Sequence, residues 1–173
     1  MNDLKRLTFK GICVVIVLGT LWHFVYEWTG KNFIVGLFFP VSESTWEHMK
    51  LCFFPMSLYS LYMNKKLKAQ YPCITSALLL GILTGTFSIP VIFYTYSGIL
   101  GFHSLFLDMA TFVASILLGF WTVYKFSSSN KLSSYQTLLK GLVFLLLLCF
   151  FVFSYFPPSI GLFANPEVNM HTH

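Results

Sequence analysis

The sequence predicts an all-α protein, an integral membrane bundle of five transmembrane helices. Three observations lead to this fold class. The chain has 173 residues, of which 56% are hydrophobic and only 10% are charged, whereas a soluble domain of this length needs far more charge on its surface. Five apolar stretches each approach the ~20 residues that a spanning helix requires. Most basic residues also fall on the opposite side of the predicted topology from most acidic residues.

The five predicted spans occupy most of the chain. They cover about residues 9–28, 44–63, 74–96, 103–125 and 137–156. Because little else remains, we predict one transmembrane domain over residues 1–173. Between the first two spans, residues 31–40 are apolar but too short to cross a bilayer, which indicates an interfacial or re-entrant segment. In the third span, Gly81 and Gly85 form a small-xxx-small pattern that predicts close helix packing.

The basic residues predict the orientation. Nine of the 11 Lys and Arg residues fall on one side of the five-span topology, and only Lys31 and Lys50 fall on the other. Basic residues in short loops are retained in the cytoplasm, so we predict a cell-membrane protein with a cytoplasmic N-terminus and an extracytoplasmic C-terminus. The net charge of +5 then belongs to the cytoplasmic leaflet, where we expect contact with anionic lipids and no binding to nucleic acid.

Histidines and carboxylates gather at the opposite boundary. All five histidines lie on this side, with every acidic residue except Asp3. His23 and Glu27 are four residues apart and share one face at the end of the first span. Glu47 and His48 open the second span, about a hundred degrees apart around the helix. Ionisable groups near the hydrocarbon region normally face the bundle interior or a wet cavity.

The fourth predicted span contributes a further pair. His103 opens this span, and a continuous helix would place Asp108 about 7–8 Å deeper along it. A carboxylate at that depth is costly unless it is paired, so Asp108 has no simple structural role in lipid. We therefore expect side chains from three spans to converge in one pocket just beneath the extracytoplasmic surface.

Imidazole and carboxylate side chains are the ligand set of zinc, iron and manganese. The predicted ligands of a divalent metal, with zinc the favoured ion, are His23, His48 and His103. Glu27 or Asp108 is the predicted fourth ligand, or a residue that contacts a ligand and not the metal. A bound ion would lower the pKa of a coordinated water toward neutrality. Glu47 is then the predicted general base, and it forms the candidate catalytic pair with Asp108.

Several of these residues also have a purely structural interpretation. Ser44 and Glu47 fit a capping box at the start of the second span. Glu43 fits a favourable charge at the same helix N-terminus. His23 and Glu27 fit a hydrogen-bonded pair on one helix face. The sequence alone leaves these alternatives open beside the metal site.

Two segments near the first connection carry a resemblance. Residues 23–30 (HFVYEWTG) and 40–50 (PVSESTWEHMK) resemble the signature of a family of small bacterial multi-pass membrane proteins of unknown function. The C-terminal region is also similar, but it has Asn165 where that family has Asp, and it ends in Met-His-Thr-His instead of Tyr-Gly. The resemblance implies a Gram-positive-like cytoplasmic membrane and supplies no activity. We interpret His171 and His173 as part of a disordered end.

The sequence leads to two functional hypotheses. The first is a metal-dependent hydrolase, or an acyl or phosphoryl transferase, that acts on a lipid-linked substrate at the outer leaflet among membrane lipids. The alternative is non-catalytic: an ion or proton pathway through Asp108 and a nearby histidine, or a subunit that binds a ligand or a protein partner. The inner halves of the predicted spans have almost no ionisable groups, which favours a one-sided site over a channel. A third interpretation is that the polar cluster only joins the outer helix ends.

Overall fold

The structure, a computed structural model, describes residues 3–165, and this range contains helices and no strands. The predicted all-α class is confirmed. The α-helices are α1 (Asp3–Trp28), α2 (Phe33–Phe38), α3 (Thr45–Leu67), α4 (Ile74–Leu100), α5 (Leu105–Phe126) and α6 (Gln136–Phe153). Two short 3-10 helices, Asn130–Tyr135 and Gly161–Phe163, lie on either side of α6.

Within residues 3–165, four helical segments are long and apolar enough to cross a membrane. They are α1, α4, α5 and the segment Asn130–Phe153, which ends with α6. The prediction of five such spans is therefore wrong in number. The predicted second span, residues 44–63, forms most of α3, which is long enough to cross but has polar and charged residues such as Glu47 and Lys50.

α3 is less apolar because it lies inside the bundle, where 15 of its 23 residues are buried. It runs antiparallel to α1. The hydroxyl of Tyr59 donates a hydrogen bond to the carbonyl oxygen of Leu7 at 2.8 Å. Nearer the other end, a Cβ added to Gly19 would lie 2.5 Å from the carbonyl oxygen of Leu51. The buried face of α3 contacts other helices, so polar side chains that find partners there are tolerated.

α4 and α5 pack with their backbones in close approach. A Cβ added to Gly81 would lie 2.8 Å from the carbonyl oxygen of Gly119, and one added to Gly119 would lie 2.9 Å from that of Gly81. At Gly85, the carbonyl oxygen of Ser115 is 3.2 Å from the Cβ position. The close packing predicted from the two glycines of α4 is confirmed, because only small residues let the backbones approach this closely.

The antiparallel arrangement of the helices places most basic residues at one end of the bundle and histidines at the other. At one end of the bundle, Arg6 and Lys66 border the same small cavity. At the other end, the rings of His23 and His48 lie 5.5 Å apart. We call this second end, which also contains His103, the histidine end. It is where the candidate site is found.

The predicted short segment between the first two spans contains α2, a helix of six residues. Three side chains from other elements donate hydrogen bonds to its carbonyl groups and to the carbonyl that follows it. They come from Trp22 at 3.2 Å, Lys50 at 2.8 and 3.3 Å, and Tyr155 at 2.7 Å. Because a short helix leaves most of its carbonyls without internal partners, these contacts attach α2 to the bundle.

Candidate functional site

The site begins at the N-terminus of α3. Ser44 is the N-cap residue, and its hydroxyl accepts a hydrogen bond from the amide of Glu47 at 3.3 Å. This is one half of the predicted capping box. In place of the other half, the carboxylate of Glu47 accepts from the amide of Val41 at 2.9 Å. The next residue, His48, lies about 100° further around the helix, so the two side chains point to different sides of α3.

Glu43 lies between two imidazoles at the histidine end. Its Oε1 is 3.6 Å from Nε2 of His23, and its Oε2 is 3.4 Å from Nε2 of His48. One ligand atom from each of the three residues lies within 4.8 Å of the other two. In a tetrahedral zinc site with bonds of ~2.0–2.1 Å, ligand atoms are about 3.4 Å apart. The three side chains are therefore close enough that one metal ion could be held between them, and the same distances also suit two ion pairs through Glu43.

The start of α3 also orients the ring of His48. Nδ1 of His48 is 2.9 Å from the carbonyl oxygen of Ser44. The same carbonyl accepts the backbone amide of His48 at 3.1 Å. A neutral imidazole that donates from Nδ1 to a backbone carbonyl leaves the lone pair of Nε2 available, which is the usual arrangement of a histidine that binds metal. The N-cap residue thus aims Nε2 of His48 toward Glu43.

A second polar group lies where α4 ends and α5 begins. Nδ1 of His103 is 3.3 Å from Oδ2 of Asp108. The hydroxyl of Tyr96, near the end of α4, donates a hydrogen bond to the other carboxylate oxygen of Asp108. Nε2 of His103 is buried and has no hydrogen-bond partner among the described residues. The carboxylate therefore orients the imidazole and leaves one ring nitrogen free to bind a ligand or a proton.

Asp108 lies in the first turn of α5 and not deep within a span. The prediction of a depth of about 7–8 Å below His103 assumed a continuous helix from residue 103, and that assumption is wrong. The helix begins at Leu105, with Ser104 as its N-cap. At a helix N-terminus, unpaired backbone amides and the helix dipole favour a carboxylate. Asp108 thus has structural support that the sequence did not reveal.

The two polar groups line one cavity of about 250 Å³. Its polar lining consists of His23, Glu43, Thr45, His48, His103, Asp108 and Thr111. Its apolar lining consists of Leu51, Ile89, Phe93, Leu105 and Phe112. α1, α3, α4, α5 and the loop before α3 all contribute to this lining. The cavity can therefore surround a ligand that has a polar group and an apolar part.

Two of the predicted site residues lie elsewhere. Glu27 is exposed and pairs with Lys31 at 3.3 Å, one turn along the chain. Glu47 is buried on a different side of α3 from His48, and its carboxylate is 2.8 Å from Nζ of Lys50. Sequence reasoning missed Glu43 as a partner of the histidines, because this residue precedes the helix and helical spacing does not predict its direction. The histidines at positions 171 and 173 lie outside the described residues.

Comparison with known proteins identifies the family of this chain but assigns no activity to it. The model of a family described as a family of unknown function (DUF6512) matches residues 1–170, which include all six helices and every residue that lines the cavity. No curated protein and no solved structure matches the chain.

Proposed function

We propose, since this chain belongs to the DUF6512 family and the family has no known function, that it is a membrane protein with a metal-dependent site at its histidine end. The site hydrolyses a lipid-linked substrate, or transfers an acyl or phosphoryl group from it. One observation carries the proposal: the donor atoms of His23, Glu43 and His48 lie within 4.8 Å of one another beside a cavity. Helix capping does not require a carboxylate between two imidazoles, so this arrangement supports the proposal of a divalent ion.

The donor set fits zinc first. Two imidazole nitrogens and one carboxylate are a common set of three protein ligands in catalytic zinc sites, and a fourth position stays open for water or substrate. The ion would supply a water of lowered pKa and would polarise a carbonyl or phosphoryl oxygen. In this scheme Glu43 takes the ligand role that the sequence predicted for Glu27. His23 and His48 keep their predicted roles.

His103 is the proposed proton-transfer residue. Its free Nε2 can accept a proton from the attacking group and return one to the leaving group. Asp108 holds the ring through Nδ1 and stabilises the imidazolium form, and Tyr96 holds Asp108. Glu47, the base predicted from the sequence, is absent from this scheme because its carboxylate already accepts three hydrogen bonds away from the cavity.

The membrane setting supports a lipid-linked substrate. Large apolar side chains are exposed on helix faces, for example Phe9 on α1 and Phe144 on α6, and they suit contact with lipid. Basic residues at the opposite end favour a cytoplasmic location for that end, so the histidine end faces the extracytoplasmic leaflet. Leu105 lines the cavity and is 77% exposed, so an apolar side chain lies both at the site and on the outer surface of the bundle, where an acyl chain would contact it.

Metal analysis of the purified protein tests this function. We expect about one zinc ion per chain after dialysis, and loss of that ion in the variant His48→Ala. The variant His103→Ala should keep the ion but lose turnover in mixed micelles of phosphoester and carboxylester lipids. Absence of stoichiometric metal from the wild type, or unchanged metal content in His48→Ala, would overturn the proposal.

One observation favours the alternative of a proton or cation pathway. Ser115 lies one turn beyond Thr111, which lines the cavity, and the buried hydroxyl of Ser115 has no hydrogen-bond partner among residues 3–165. A hydroxyl in this position could continue a polar path from the cavity into the bundle. Proteoliposomes that contain the protein and a pH-sensitive dye separate the alternatives. A proton flux that Ser115→Ala abolishes would favour the pathway over the enzyme.

A further inference from the structure

We propose that Glu47 and Lys50 are positioning residues for the metal site. They form a buried ion pair that holds the loop before α3, and this loop places Glu43 between His23 and His48. The inference rests on the proposed function, because it concerns the affinity of the site for metal. It gives Glu47 a different role from the general base that the sequence predicted.

The ion pair is buried and lies within one helix. Nζ of Lys50 is 2.8 Å from Oε2 of Glu47, and the two side chains are 0% and 3% exposed. The ammonium group also donates to the carbonyl oxygen of Gly36 at 2.8 Å and to that of Phe39 at 3.3 Å. An ammonium has three N–H donors, so all three are used. Two of them bind backbone in α2 and at its end.

The carboxylate of Glu47 is equally well satisfied. Its Oε2 accepts from the amide of Val41 at 2.9 Å, and its Oε1 accepts from the hydroxyl of Ser154 at 2.9 Å. Ser154 follows α6, so one carboxylate joins α3, the loop and the end of α6. A buried pair with this many partners is tolerated, whereas removal of one member leaves an uncompensated charge.

The contacts of the ion pair hold the backbone before Glu43, and the helix cap holds it after Glu43. Lys50 holds the carbonyl of Phe39, and Glu47 holds the amide of Val41, two residues before Glu43. Ser44, the next residue, caps α3. The loop therefore has little freedom to move Glu43, so its carboxylate reaches the two imidazoles from a preset position. Ligands held in place by outer partners bind metal more tightly.

If the ion pair has a purely structural role, a different effect on metal affinity is expected when the pair is replaced. Apolar side chains of similar size often replace a buried ion pair with no loss of stability. Such a replacement would fill the space but could not hold the amide of Val41 or the carbonyls of Gly36 and Phe39. The double variant Glu47→Leu/Lys50→Met should therefore fold and yet bind metal more weakly. Packing alone would leave the affinity unchanged in a folded variant.

The experiment measures zinc affinity by competition with a chromophoric chelator in detergent, with circular dichroism and thermal unfolding as the measure of folding. We expect the double variant to bind zinc about 10–100-fold more weakly than the wild type, the usual effect of removing an outer partner of a ligand. Glu47→Gln is tested in parallel, because it has almost the same shape and keeps one oxygen acceptor. Ser154→Ala is the matched control: it removes a contact of Glu47 that does not involve the loop, so zinc affinity should stay within about twofold of the wild type.

A double-mutant cycle with Glu43→Gln gives the decisive readout. If Glu47 acts through Glu43, then Glu47→Gln should have almost no further effect on zinc affinity once Glu43 is replaced. Additive effects in the cycle, or wild-type affinity in a folded Glu47 variant, would overturn the positioning role and leave the metal site intact. A wild type that binds no zinc would overturn both proposals.

Discussion

Nε2 of His48 lies 3.4 Å from the carboxylate of Glu43, although the first residue belongs to α3 and the second to the loop before it. The cap at Ser44 separates them and turns the chain between them. This geometry gives the candidate site a carboxylate that helical spacing does not reveal. It also leads to a test with a matched pair of acidic residues.

Glu43→Gln should weaken zinc binding by about 100-fold or more, because loss of a direct ligand should cost at least as much as loss of an outer partner. Glu27→Gln is the matched control, since Glu27 also lies at the histidine end but is exposed and pairs with Lys31. Chelator competition measures both affinities. If Glu27→Gln weakens zinc binding as strongly as Glu43→Gln does, the assignment of Glu43 as the ligand is wrong.

Asp108→Asn should lower kcat by about 10²–10⁴-fold and leave zinc content unchanged. The amide cannot stabilise an imidazolium at His103 as a carboxylate does, and general acid–base catalysis contributes a factor of this size. Tyr96→Phe should have a smaller effect, since it removes only a partner of Asp108. Zinc content and turnover are measured on the same preparations. Loss of zinc in Asp108→Asn at full folding would instead place this carboxylate among the ligands.

Gly81→Ala should destabilise the bundle by about 1–3 kcal/mol, the usual cost of overpacking. Its new Cβ would lie 2.8 Å from the carbonyl oxygen of Gly119 on the neighbouring helix. Gly98, on the same helix, has open space around its Cβ position. Gly98→Ala should therefore stabilise by about 0.5–1 kcal/mol, because alanine is the better helix former. Thermal unfolding in detergent ranks the two variants, and equal effects would contradict the close packing of α4 and α5.

Two exposed serines test the proposed orientation. Ser159 follows α6 at the histidine end, and Ser128 lies in the connection between α5 and α6. In a background with the four native cysteines replaced, a membrane-impermeant maleimide added to intact cells should label Ser159→Cys and leave Ser128→Cys unlabelled. The opposite labelling would place the histidine end in the cytoplasm. Lysis before labelling should make both positions reactive and serves as the control.

Local composition was enough to find most of the helices. α1, α4, α5 and α6 are recognisable from sequence because helices long and apolar enough to cross a membrane need continuous apolar stretches of about 20 residues. α3 was found as a helix but counted wrongly as a fifth apolar span. Its burial among the other helices permits residues such as Lys50, and this property depends on neighbours that sequence composition does not identify.

Local composition does not predict the directions in which the acidic side chains point. Helical phase placed Glu47 and His48 about a hundred degrees apart around α3, but it did not reveal that Glu47 lies outside the cavity that His48 lines. No such rule applied to Glu43 in its loop, or to His103 before the cap of α5. For the same reason, the sequence did not show that Asp108 lies in the first turn of α5. These errors all come from residues at helix ends, where the backbone leaves the regular helix.

By itself, the sequence determined an all-α chain with apolar helices, with most of its basic residues at one end and His23, His48 and His103 at the other, because composition and helical period act locally. The tertiary structure decided which carboxylate meets the imidazoles. It gave that position to Glu43, paired Glu27 with Lys31, and buried Glu47 against Lys50. The physical reason is that these contacts join residues from separate helices and loops, whose relative placement is set by packing and by hydrogen bonds at the helix ends.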